Sequence, residues 1–256
     1  MSARLNLAVI GALLSRSRNE LVRVPGAAIP GVLAPTIFFL GINGVFGKLI
    51  ELRGFEADSY LSFVIPLSIL QGAGFTGAAT GVNMARDIEQ GWFDRLLVSP
   101  APRWVILAGL VGSACIRALV PLTILLLIAI PLGASWPGIG GLLLVAVLAM
   151  GMAAVAACWA TTLALKFKSQ SAAPIMQAGT FVAILFTTGY APLVLLQGWL
   201  REIAEVNPVT DVIEAARQPF IGSITWADTW PGFVALGFLL AAMAFLSLRG
   251  MRRTAL

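Results

Sequence analysis

The side chains able to do chemistry are few, and they crowd into one polar stretch, residues 84–103. Asp87, Glu89, Asp94 and Arg95 stand there beside Trp92 and Phe93, and the charges of the stretch cancel. Met84, Ile88, Trp92 and Leu96 recur every four residues, with Phe93 and Leu97 alongside. That spacing predicts a short amphipathic helix over 84–99, stopped by Pro100 and Pro102. Such a helix either docks into a groove on another protein or packs under the bundle it belongs to. The rest of the chain is poor in reactive groups. Histidine is absent, which excludes a Ser-His-Asp triad, a Cys-His pair, the H-E-x-x-H zinc motif and any histidine metal site. Cys115 and Cys158 lie in long apolar runs without C-x-x-C spacing and read as small buried hydrophobes. Gly47-Lys48 is the nearest approach to a phosphate loop. Its required glycine is Ile42 and its required hydroxyl is Leu49, so the motif fails.

A second, scattered set of polar residues sits in apolar surroundings. Arg117 is the one charge inside an otherwise apolar span, where a cation needs a partner or water. The partners weighed for it are backbone carbonyls near a break in the helices, an outer acid such as Glu214, lipid phosphate, or a transported compound. Tyr190, Thr187 and Thr188 suit either a lateral path or helix–helix hydrogen bonds. Trp199 reads as an interfacial anchor or as the lining of an irregular segment.

The elements that carry these residues follow from charge-free runs. Only 11% of residues are charged and 59% are hydrophobic, with mean hydropathy +0.91. Soluble domains carry about 25% charged residues, so a membrane protein is indicated. Uncharged runs predict six spans at about 26–47, 60–83, 104–131, 138–165, 170–190 and 231–248. Residues 169–200 are too few for two crossings of about 20 residues each, so one crossing plus a re-entrant segment over 191–217 is expected. Residues 3–24 place Ile10, Leu13, Leu14 and Leu21 opposite Arg16, Asn19, Glu20 and Arg23, which predicts an interfacial helix; the plainer reading is a basic topogenic flank. Twelve Lys and Arg fall on the side of the two termini and four on the other, which places both termini in the cytoplasm. The high pI is this asymmetry, and no basic patch interleaved with stacking aromatics points to nucleic acid. The glycines at 72, 74, 77 and 81 suit close packing, within the chain or between two copies.

Taken together, Arg86, Asp87, Ile88, Gly91, Asp94, Arg95, Pro100 and Arg103 resemble the polar segment of ABC-2 exporter permeases, above all the daunorubicin-resistance type of actinobacteria. Asn207, Pro208 and Thr210, followed by Glu214 and Arg217, resemble the Asn-Pro-x-Thr element that such permeases carry before their last span. The order of elements matches over essentially the whole chain. The resemblance implies that 84–99 is a coupling helix seated on a separate ATP-hydrolysing subunit, with Asp87, Glu89, Gly91, Asp94 and Arg95 at the matching positions. Trp92 is added from its place on the apolar face.

The expectation is therefore an all-α protein of the bacterial plasma membrane: one ABC-2 transmembrane domain over 1–256, with six spans, an N-terminal interfacial helix, a coupling helix and a re-entrant segment. The chain itself would hold no cofactor, metal or nucleotide and catalyse no reaction. ATP and Mg would be bound by an ATPase subunit present twice, beneath two permease copies or one copy and a paralogue, in contact with membrane lipid. The cargo would be amphipathic, a drug or lipid-like compound. The competing readings are an exporter of lipid-linked glycan and an ion-coupled secondary transporter, the latter opposed by the lack of Asp or Glu in any span core. Arg117, Tyr190, Trp199 and Asn207 are the candidates for a transport path or a bundle contact.

Overall fold

Residues 60–89 form one continuous helix because no charge interrupts residues 59–85 and Ser59 starts it, its hydroxyl accepting the Ser62 N–H at 3.2 Å. The computed structural model describes residues 3–23, 29–51, 55, 57–93, 96 and 101–253, and among these every regular element is helical. In chain order they are α1 (Ala3–Arg23), α2 (Ile29–Phe46), α3 (Tyr60–Glu89), α4 (Arg103–Ala129), α5 (Gly138–Phe167), α6 (Ala173–Leu185), α7 (Gly198–Val206), α8 (Pro208–Ile221) and α9 (Trp226–Arg253). Short 3-10 turns lie at Gly47–Glu51, Gln170–Ala172 and Leu193–Leu195.

Helix α3 is the post around which the others stand. Of its apolar stretch 89% is buried, against 22% for α9, so α9 is peripheral. The glycines of α3 explain how neighbours come so close. Gly72 lies against the Gly31 carbonyl and Pro121, Gly74 against Thr180, Gly77 against the Ala153 carbonyl and Ala156, and Gly81 against the Ala160 backbone. The small-residue stripe is thus used inside the chain. These contacts also show α5 running parallel to α3. Helix α9 runs parallel to α5, with Leu236 over Gly151 and Leu165 over Gly250.

The link from α4 to α5 is a sharp stop. Gly133 has φ +103, its N–H reaches the Ile130 carbonyl, and the Ala134 N–H reaches the Ala129 carbonyl, both at 3.0 Å. Ser62 then ties this turn to the start of α3 by accepting the Ser135 N–H at 2.9 Å. Below, the "Tyr60 end" of the bundle is the end holding this turn, and the "Glu89 end" is the opposite one.

Helices α3, α4, α5 and α9 are long and apolar enough to cross a membrane. Helix α2 has 18 residues and α6 only 13. At 1.5 Å per residue α6 reaches about 20 Å, short of a hydrocarbon core of roughly 30 Å. The stretch expected as a span over 170–190 is therefore helical only to Leu185. Its last turn is ended by side chains that take its carbonyls: the Thr187 hydroxyl donates to Ile184 O at 2.7 Å, and Asn207 Nδ2 donates to Ala183 O and Phe186 O, both at 2.8 Å. The last span, expected over 231–248, is longer than expected and covers Trp226–Arg253.

Candidate functional site

At the Glu89 end, the polar segment differs from the continuous helix expected over 84–99. Residues 84–89 are the last turns of α3. The Gln90 N–H closes on Arg86 O and the Gly91 N–H on Ile88 O, both at 3.0 Å, and Gly91 takes φ +69 with open space around it. A left-handed residue cannot continue a right-handed helix, so the chain turns there. Trp92 and Phe93 follow, with Phe93 buried in the core of this end. Asp94 and Arg95 lie outside the described residues.

Of the described residues here, Asp87 and Phe93 are buried, Trp92 is half-buried and Glu89 is exposed. Asp87 is buried and accepts from Arg16 Nη2 of α1 at 2.8 Å. The same guanidinium sits 3.9 Å from the Trp92 ring centroid. Glu89 accepts from Ser169 Oγ at 2.8 Å, from the Gln170 N–H at 2.9 Å and from Gln170 Nε2 at 2.6 Å. Asp87 and Trp92 thus bind the segment to α1, and Glu89 binds it to the link between α5 and α6. That link begins at Lys168, which holds φ 53 with its N–H on Ala164 O. Asp87 and Glu89 thus differ, the first buried against Arg16 and the second exposed but held by three hydrogen bonds. Sequence periodicity could not show this, because their partners, Arg16 and Gln170, lie 71 and 81 residues away.

Arg117 faces the same end. Its Nη2 donates to Thr80 Oγ1 of α3 at 2.6 Å, in a small polar cleft shared with Arg16, Asn83 and Asp87. Of the partners weighed for Arg117, Glu214 meets Arg217 at the Tyr60 end, whereas Thr80 lies on the half of α3 toward the Glu89 end.

The strongest polar constellation is at the Tyr60 end, around a residue that the sequence pattern placed among ordinary outer charges. Arg217 is 2% exposed. Its Nη1 meets Glu214 Oε1 at 2.6 Å, its Nε donates to Phe63 O at 3.2 Å, and its Nη2 donates to Thr188 O at 2.8 Å and Gly189 O at 3.4 Å. The guanidinium also lies 3.8 Å from the Phe63 ring centroid. Burial pushes Arg217 below its ordinary pKa range, and Glu214 opposes that. Burial and the same Glu214 push the Asp211 carboxyl upward. The Thr188 hydroxyl completes the set by donating to Glu214.

Two residues expected at a transport path or a bundle contact make structural bonds near this cluster. Tyr190 offers its carbonyl to the Tyr60 hydroxyl at 2.9 Å. Asn207 caps α8, its Oδ1 accepting the Val209 N–H at 3.0 Å while its Nδ2 holds the end of α6. Thr210 adds a bond to Ala204 O of α7 at 2.7 Å. The Asn-Pro-x-Thr element is therefore a joint between α6, α7 and α8. Trp199 stands apart, exposed on α7, with an edge-on contact to Phe186 at 6.2 Å. The signal available for Arg217 was its i+3 spacing from Glu214 on a capped helix.

Between α5, α6, α8 and α9 lies an apolar cavity of about 260 Å³, lined by Met152, Trp159, Thr180, Val209, Leu239 and Met243. Among the described residues no cluster of His, Cys, Asp and Glu suits a metal ion.

A bundle in which four helices are long and apolar enough to cross a membrane fits a multi-pass membrane protein. The chain belongs to the ABC-2 type transporter family, whose sequence model matches residues 8–221. It is 28% identical over 229 residues to the probable doxorubicin resistance ABC transporter permease protein DrrC of Mycobacterium tuberculosis, covering 84% of this chain and 79% of that one. It is 25% identical to the daunorubicin resistance ABC transporter permease protein DrrB1 of Streptomyces coeruleorubidus, covering 92% and 83%. It is 27% identical to the inner membrane transport permease YadH of Escherichia coli, covering 76% and 75%.

Proposed function

We propose that this chain is the membrane subunit of an ATP-driven exporter of amphipathic compounds, working with a separate ATPase that docks at the Glu89 end. The observation that carries the reading is the corner where residues 87–92 are bound at once to α1 through Arg16 and to the α5–α6 link through Glu89. A partner pressing on this segment would move three elements together, which is what a separate motor requires of its membrane subunit. Gly91 turns the chain after α3, and in this reading Asp87, Glu89, Gly91, Trp92, Asp94 and Arg95 supply the contacts to the ATPase. In this reading α2 and α6 complete six crossings, both termini are cytoplasmic in a bacterial plasma membrane, and α7 and α8 form the re-entrant pair. ATP and Mg reside on two ATPase subunits beneath two permeases, identical or paralogous.

The apolar cavity beside Trp159 suits a drug or lipid-like molecule better than a hydrophilic solute. Among the relatives, two carry names of doxorubicin and daunorubicin resistance. The alternatives remain a lipid-linked glycan as cargo and, in another class, ion coupling. Proteoliposomes holding the permease with its ATPase separate them: accumulation of doxorubicin should need ATP and survive ionophores. Uptake that follows a proton or sodium gradient without ATP would replace the exporter reading.

A further inference from the structure

We infer that the groove between the ends of α5 and α9 at the Glu89 end binds the phosphate headgroup of an anionic phospholipid. The two helices run parallel, and beside the contact of Leu165 with Gly250 their last turns line a cavity of about 560 Å³. That is within the roughly 300–1,000 Å³ of small-molecule sites. Lys166, Lys168, Arg249 and Arg253 line it, and no acid does. Among the described residues none of the four makes an ion pair, whereas Arg16, Arg201 and Arg217 are matched by Asp87, Glu205 and Glu214. Two helix C-termini converge here and bring only about half a negative charge each. Roughly three unit charges stay unbalanced.

The shape of the lining selects the kind of anion. Leu165 and Leu246 form the wall on the membrane side of the cations. On α9 Phe238, Phe245 and this Leu246 are exposed. An occupant that satisfies both halves carries phosphate at one end and an acyl chain at the other, and basic pockets between membrane helices bind such headgroups. Free phosphate would fill the charged half only. Lys168 adds a further sign: it holds φ 53, where glycine would sit without strain, so a cation occupies a position its backbone does not favour. The inference does not depend on the exporter reading.

The test uses the full chain in a neutral detergent, titrated with fluorescent phosphatidylglycerol and, separately, with phosphatidylcholine. Each cation near a charged lipid surface is worth roughly fivefold in binding. Lys166→Gln with Lys168→Gln, or Arg249→Gln with Arg253→Gln, should therefore weaken phosphatidylglycerol binding about 30-fold. Lys48→Gln with Arg201→Gln, which removes two charges elsewhere, should leave it unchanged, as should Lys168→Arg. All four site cations are exposed, and elution volume and thermal stability check that the variants fold. Binding by wild type should also fall steeply with added salt, a readout that needs no variant. Three results overturn the site: equal affinity for phosphatidylcholine, equal loss in the control pair, or full displacement by excess inorganic phosphate, which would make it a free-anion site.

Discussion

Arg217 is held by backbone carbonyls and an aromatic face more than by its ion pair. Glu214 has a side chain 44% exposed, so water can replace Arg217 as its partner, whereas Phe63 O, Thr188 O and Gly189 O lose their donor in a dry site. Arg217→Leu should therefore lower stability by about 3 kcal/mol, the order expected for leaving buried acceptors unmade. Glu214→Gln should cost about 1 kcal/mol or less, because exposed partners contribute little. Thermal unfolding of both variants in detergent checks the order; a Glu214→Gln effect as large as that of Arg217→Leu would mean the ion pair dominates. The two arginines show what can be seen in the sequence. Arg117 stands out because its neighbours along the chain are apolar. Arg217 does not, since its neighbours include Asp211, Glu214 and Gln218, and its burial comes from α3 and from the end of α6, more than 25 residues away along the chain.

Among elements, α3 carries the argument because its glycines decide how closely α5 and α4 approach. A valine at Gly81 would overlap the Ala160 backbone, and neither rigid helix can yield easily. Gly81→Val should destabilise by about 1–3 kcal/mol, as overpacking does. Gly44→Ala in α2 meets nothing within 4 Å and should be neutral or stabilising by about 0.5–1 kcal/mol. Equal thermal shifts for the two would show that α3 and α5 are not in tight register. Gly91 is a different case, with ample room and φ +69. Gly91→Ala should cost about 1–2 kcal/mol locally, and Gly91→Pro more, since it loses the N–H bond to Ile88 O and locks φ near −65°. Both should impair transport while the bundle still melts near the wild-type temperature; wild-type transport in Gly91→Pro would show that the turn has no role in coupling. Helix positions were legible from uncharged runs, most closely for α4 and α5. The end of α6 and the stop at Gly91 were not, because one depends on Asn207 reaching across the fold and the other on a glycine that helical periodicity passes over.

For the whole molecule, the two ends are held together by different polar contacts. The Tyr60 end is held by the Arg217 cluster and the Asn207 joint, and the Glu89 end by one ion pair, Arg16 with Asp87, and by hydrogen bonds from Glu89 to the α5–α6 link. The proposed function seats a separate ATPase at the second end, and that docking is the central claim. It is tested most directly by crosslinking. With Cys115 and Cys158 replaced by alanine, single cysteines at Asp94 and at Ser135 are treated with a short bifunctional maleimide in membranes that also contain the ATPase. The account predicts a permease–ATPase crosslink from position 94, changed in yield by ATP, and none from position 135. A crosslink from position 135 with none from 94 would place the ATPase at the opposite end and contradict both the orientation and the coupling role of residues 84–99.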